Sequence, residues 1–199
     1  MIQRRGMLFR TCIRMLALAS VIGVAGAYDR MTETYDIPRL DGVVVDGRAD
    51  DWGEAGFRVN TLALLGCGWR PVEDFDVRMR LAWDEAGLLA LIEVSDQAGV
   101  EHEQTFSLYR GDCVELFFAD RRGGGELIGM TLAPGLDPRF PEMRTSLNDR
   151  RRNAALKAVT ATVESARALV PGGYRIEVRL PWAQVGVRPE VGAVCGFNV

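Results

Sequence analysis

The sequence of 199 residues has one histidine, His102, and four widely spaced cysteines, Cys12, Cys67, Cys113 and Cys195. It has no Cys-x-x-Cys pair and no Cys/His cluster, which excludes the usual zinc spacings and a dense disulfide framework. It also lacks a Gly-x-Ser-x-Gly elbow, a His-Glu-x-x-His pair and a Gly-rich phosphate loop. These absences argue for a protein that is not an enzyme. Paired carboxylates for glycoside hydrolysis have no fixed sequence signature, so that class stays open. His102 lies in the polar stretch Glu101-His102-Glu103-Gln104 and is expected to be exposed. There is no internal repeat, no low-complexity linker and no long stretch of 3.6-residue period.

No apolar run reaches the roughly 20 residues that a bilayer crossing needs. The longest, Met15 to Ala27, has 13 residues. It follows Arg4, Arg5, Arg10 and Arg14 and ends in Ala25-Gly26-Ala27. A positive region, an apolar run and a small-x-small end describe a secretory signal peptide over residues 1–27. An uncleaved anchor is the alternative. Cleavage implies a secreted or periplasmic protein with no membrane association afterwards. It would remove four of the 24 basic residues and none of the 27 acidic ones, leaving a net charge of about −7. Nucleic-acid surfaces are strongly basic, so no nucleic-acid partner is expected. Cys12 would leave with the signal. Cys67, Cys113 and Cys195 would remain, as one disulfide plus a thiol or as three small buried side chains.

The rest reads as strands. Val77, Met79, Leu81 and Trp83 alternate with Arg78, Arg80 and Ala82, the pattern of a half-buried strand. Asp84-Glu85-Ala86-Gly87 is a turn, and Leu88 to Val94 returns as the second arm of a hairpin. Asp112 to Ala119 is a strand with Val114, Leu116 and Phe118 on one face and Cys113, Glu115 and Phe117 on the other. The glycine-rich turn 120–126 leads to a strand over 127–132. Residues 134–153, with three prolines and several arginines, read as a long surface loop. Residues 157–165 alternate again, with Val159, Ala161 and Val163 inward. Residues 174–180 form the clearest strand, with Arg175, Glu177 and Arg179 on its polar face. Trp182 to Val185 reads as a short helical turn, and 196–199 as a strand just begun. The fold class is all-β: a two-sheet antiparallel sandwich of jelly-roll or immunoglobulin-like type.

Five motifs occur in order. Val45-Asp46-Gly47-Arg48-Ala49-Asp50-Asp51-Trp52 opens the series. Leu81-Ala82-Trp83-Asp84-Glu85-Ala86-Gly87-Leu88-Leu89 follows, then Arg110-Gly111-Asp112-Cys113-Val114-Glu115-Leu116-Phe117-Phe118. Gly173 to Trp182 and Gly196-Phe197-Asn198-Val199 close it. Asp46-Gly47 is a turn signal, and Asp50 has the chemistry to hold nearby amides. Trp52 closes that turn on the core. Trp83 and Trp182 read as core or sheet-edge aromatics, and Asp84 and Glu85 as turn residues. Glu177, between two arginines, reads as a solvated charge.

This series resembles the family 9 carbohydrate-binding modules, which group with the DOMON-like β-sandwiches. The resemblance covers about 41–199 within a domain read as 36–199. It implies a non-catalytic module that binds a mono- or oligosaccharide of plant cell-wall type and assists glycoside hydrolases. Tyr109 and Glu115 match the family's first clamp aromatic and ligand-contacting glutamate. A tyrosine ring suits an apolar sugar face. A carboxylate suits vicinal hydroxyls. Ser107 to Gly111 reads as an exposed loop, and Asp112 lies beside it, where its carboxylate would satisfy loop amides. Two departures weaken the expected binding. Gly129 falls near the place of a basic residue. The second clamp aromatic belongs to sequence after Gly-Phe-Asn, so the last strand is expected to be missing. Calcium at Asp46, Asp50 or Asp51 is an option without EF-hand spacing, and otherwise no cofactor is expected. The alternatives are an interaction module with a decayed sugar site, or a haem carrier using Met79, Met130 or Met143 with His102 or Lys157.

Overall fold

The alternating segments pair as antiparallel sheets. The computed structural model describes residues 34–59, 75–96 and 98–199. The expected signal peptide and Cys67 lie outside them. Asp36–Val199 forms one unit. Among the described residues the strands are β1 (Phe57–Val59), β2 (Phe75–Trp83), β3 (Gly87–Asp96), β4 (Val114–Ala119), β5 (Leu127–Ala133), β6 (Arg144–Asp149), β7 (Glu164–Val170), β8 (Gly173–Pro181) and β9 (Gly196–Asn198). One sheet has the order β1-β2-β3-β8-β7 and the other β6-β5-β4-β9. The fold is therefore the two-sheet antiparallel β-sandwich. Its core is made by the inward row of each strand: Met79, Leu81, Ile92, Ile176 and Val178 from the first sheet meet Leu116, Phe118, Ile128 and Leu132 from the second.

Each predicted hairpin has a chemical lock. Asp84 Oδ1 accepts from the Ala86 and Gly87 amides, both at 2.8 Å. This fixes the β2–β3 turn, with Trp83 opposite Leu88. Trp83 Nε1 donates to the Ile37 carbonyl at 3.0 Å, and Trp182 Nε1 to the Asp84 carbonyl at 2.8 Å. Both tryptophans serve the sandwich. Strand β3 is buried on both faces, because Val43 and Trp52 from the N-terminal loop cover its Leu89 and Leu91.

Three expectations need correction. Residues 134–153 are not all loop: Arg144–Asp149 is β6, an edge strand paired to β5. Its one large apolar residue, Leu147, gives no alternating signal. Residues 157–165 are not a strand. Ala154–Lys157 is a helical turn, and pairing with β8 begins only at Glu164. Ala161 and Val163 do pack on the core, but the segment's polar partner is a side chain. Gln184 accepts from the Thr162 amide at 2.6 Å and donates to its hydroxyl at 2.6 Å. Val159 is exposed. Residues 107–111 are not simply an exposed loop either. Thr105–Arg110 is a 3₁₀ segment that buries Ser107 and Leu108.

Candidate functional site

The second sheet turns polar side chains outward in rows set by its register. Glu115 on β4 lies opposite Thr131 on β5, which lies opposite Ser146 on β6. The next row is Asn198, Phe117, Gly129 and Asn148. Glu115 is half-buried. Thr131 Oγ1 donates to it at 3.4 Å, a long bond that uses little of the roughly four acceptor positions a carboxylate has. Thr131, Ser146 and Asn148 were not legible as site residues, since two of them sit on the strand hidden in the presumed loop.

Gly129 has a steric cause. A Cβ there would lie 3.0 Å from two ring atoms of Phe117. The phenyl ring rests over the glycine, so the position has no room for a long basic side chain unless Phe117 moves.

Tyr109 is 55% exposed on the 3₁₀ segment, with the Arg110 guanidinium 5.8 Å from its ring centroid. That segment packs against β5 and β6. The loop beneath it is closed by a reciprocal pair: Val100 donates to Asp112 Oδ2 at 2.6 Å, and the Asp112 amide donates to the Val100 carbonyl at 2.8 Å. Asp112 thus holds a loop amide, as its position suggested.

Glu101 was not anticipated. It is buried and accepts from the Gly135 and Leu136 amides at 2.6 and 2.9 Å. Arg144 from β6 donates to Glu101 Oε2 and to the carbonyls of His102 and Glu103. His102 is half-buried rather than exposed, and its Nδ1 accepts from the Gln104 amide at 3.2 Å.

The N-terminal motif residues are used structurally. Glu177 is no solvated charge. It is 1% exposed and accepts from the Asp46 and Gly47 amides and Trp52 Nε1 at 2.7–2.8 Å. Gly47 has φ +83°, and a Cβ there would sit 2.6 Å from the Arg167 carbonyl carbon, so glycine is required. Asp46 caps the Arg48 amide, and Asp51 the Val44 amide. Asp50 pairs chiefly with the Arg48 side chain, with a lesser bond from its own amide. Among the described residues no three metal-ligating side chains converge; Asp46 and Asp50 both bond Arg48, through its amide and its side chain, and Asp51 bonds the Val44 amide.

Cys113 and Cys195 are free thiols. Burial, then the charge of Glu115, pushes Cys113 up to about 12. Burial also raises Cys195. Neither offers a thiolate nucleophile near neutral pH. Between the sheets the residual cavity is about 10 Å³, lined by Leu88, Leu116, Met130 and Phe197 among others. Met79 and Met130 are core residues and Met143 packs on the core. No haem macrocycle fits there.

Sheet order and register define the class: a two-sheet antiparallel β-sandwich of jelly-roll type. The family model described as carbohydrate family 9 binding domain-like matches residues 45–199, and the chain belongs to this family. Its fold is similar to that of a family 9 carbohydrate-binding module from Caldicellulosiruptor kristjanssonii solved with cellotriose. Identity is 18%, the TM-score is 0.53, and the match covers 80% of this chain and 72% of that one. The structure of a family 9 module from the same organism solved with glucose gives 18% identity, a TM-score of 0.52 and coverages of 80% and 73%. No curated protein matches.

Proposed function

We propose that the protein is a non-catalytic carbohydrate-binding module that takes a neutral mono- or oligosaccharide on the outer face of the second sheet. The observation that supports this most is Glu115. It is outward, half-buried, mostly unpartnered, and followed across the sheet by Thr131 and Ser146. Such a row offers a charged acceptor and two hydroxyls to a sugar edge. Tyr109 supplies an apolar ring face. Family membership and the likeness to modules solved with cellotriose and glucose support a β-glucan-type ligand.

Binding is weak in this reading. A missing charged donor costs about 1–3 kcal/mol, and each 1.4 kcal/mol is about tenfold in affinity. The protein assists a glycoside hydrolase and works outside the cytoplasm, on the charge-then-apolar order of residues 4–27. An exported N-terminus at Tyr28 by mass spectrometry is the expected result.

Titration calorimetry against glucose, xylose, cellobiose and xylobiose tests the site. Tyr109→Ala and Glu115→Ala are expected each to lower affinity about tenfold or more without sugar turnover. Binding that survives both substitutions moves the site elsewhere. No binding by the folded protein favours the interaction module, for which the Phe117 ring over Gly129 is the supporting feature.

A further inference from the structure

The most exposed large aromatic among the described residues is Phe106, at 75%. It precedes Tyr109 by three residues on the same 3₁₀ segment. An exposed phenyl ring contributes nothing to the core, and its hydration disfavours the free state, so it invites a partner for its face. Its mounting is unusually firm. Ser107 and Leu108 between the two rings are buried, which anchors the backbone of the segment. The Gly111 amide donates to the Leu108 carbonyl at 3.0 Å. The Val100–Asp112 pair closes the stem, and Arg144 holds the other arm through Glu101, His102 and Glu103. A rigid mount lets a ring bind without first losing conformational entropy.

We propose that Phe106 is a second contact for the bound glycan, one that selects oligosaccharides over monosaccharides. This rests on the sugar-binding reading given above. A 3₁₀ backbone advances about 2 Å per residue, so three positions stand on the order of 6 Å apart in a segment that bends at Ser107, with φ −124° and ψ 22°. That offset is on the scale of one sugar ring, so a single residue stacked at Tyr109 leaves Phe106 uncovered and a second residue reaches it. Both rings are exposed, so the occupant is a ligand that lies along an open strip. A neutral glycan with alternating apolar faces and hydroxyl edges fits that strip and the Glu115 row together. Charge on the strip comes from Arg110 over Tyr109.

The test is calorimetry of the wild-type protein with glucose, cellobiose and cellotetraose, beside Phe106→Ala, Phe106→Trp and Tyr109→Ala. Expected is an affinity that rises with chain length. Phe106→Ala should lower oligosaccharide affinity roughly tenfold and leave glucose unchanged. Phe106→Trp should keep or raise the oligosaccharide preference. Tyr109→Ala should weaken both ligand classes. An exposed side chain tolerates these changes, and circular dichroism with the melting temperature confirms folding. If wild type binds and Phe106→Ala keeps the full chain-length dependence, the role of Phe106 is overturned while the sugar-binding reading stands. If folded wild type binds none of these sugars, both fall. If Phe106→Ala weakens glucose as much as cellotetraose, Phe106 belongs to the primary subsite and the selectivity role is overturned.

Discussion

Two outward glutamates, one on each sheet, have opposite fates. Glu177, in the middle of β8, and Glu115, the second residue of β4, both point away from the core. Over Glu177 lies the N-terminal loop, and its two oxygens take three short hydrogen bonds from Asp46, Gly47 and Trp52. Among the described residues the only side-chain hydrogen bond to Glu115 is the long one from Thr131. An outward carboxylate is thus a fastener where a donor-rich loop covers it and an open acceptor where none does. Unused acceptor capacity, more than charge or position, separates the two roles.

The largest expected effect breaks the fastener. Glu177→Ala leaves the buried Gly47 amide and Trp52 indole N–H and the part-buried Asp46 amide without their acceptor, at a cost of about 3–5 kcal/mol. Glu115→Ala should change stability by less than about 0.5 kcal/mol while removing most of the sugar affinity. Urea titration of both variants decides the matter: equal destabilisation would erase the contrast between the sheets.

A smaller effect probes the open face. Gly129→Ala places a methyl at a buried position against the half-buried Phe117 ring, and overpacking of this kind costs about 1 kcal/mol where the neighbour can give way. That corresponds to a melting temperature lower by about 2–4 °C for a domain of this size. An unchanged melting temperature would mean that Phe117 moves freely and that a longer side chain is tolerated there.

The smallest expected effect is in acid. Asp149, at the end of β6, is held down to about 2 by the side chain of Arg151, which bonds it through two nitrogens. A depressed carboxylate stabilises the fold fully above its unfolded value, about 3.9, and that contribution is lost as pH falls through about 2. Wild type should therefore lose more stability than Asp149→Asn between pH 5 and pH 2, read by thermal melts across that range. Parallel curves would remove this pair from the acid response.

The central strands were legible because both faces follow simple rules: β2 and β8 alternate, and Asp84-Gly87 marks the turn between β2 and β3. The edges were not. In β6 the inward row is Thr145, Leu147 and Asp149, and in β7 it is Ser165, Arg167 and Leu169. Edge strands bury less, so they keep polar residues on both faces and lose their period. Of the site, Tyr109 and Glu115 were readable from the motif, while Thr131, Ser146 and Asn148 depended on knowing that β6 pairs with β5. The burial of Glu177 and Glu101 was hidden for another reason. Their partners lie over 30 residues away in the chain, and local charge pattern carries no record of such distant donors.

The closed stem of residues 100–112 has an engineering consequence. Its backbone is held by Asp112, Leu108 and Arg144, none of which has to change for the outward side chains to change. Positions 106, 109 and 110 therefore form an interchangeable cassette. A library varied at those three sites, displayed on an otherwise constant sandwich, turns one module into a set of glycan probes whose selectivities are written in a few side chains.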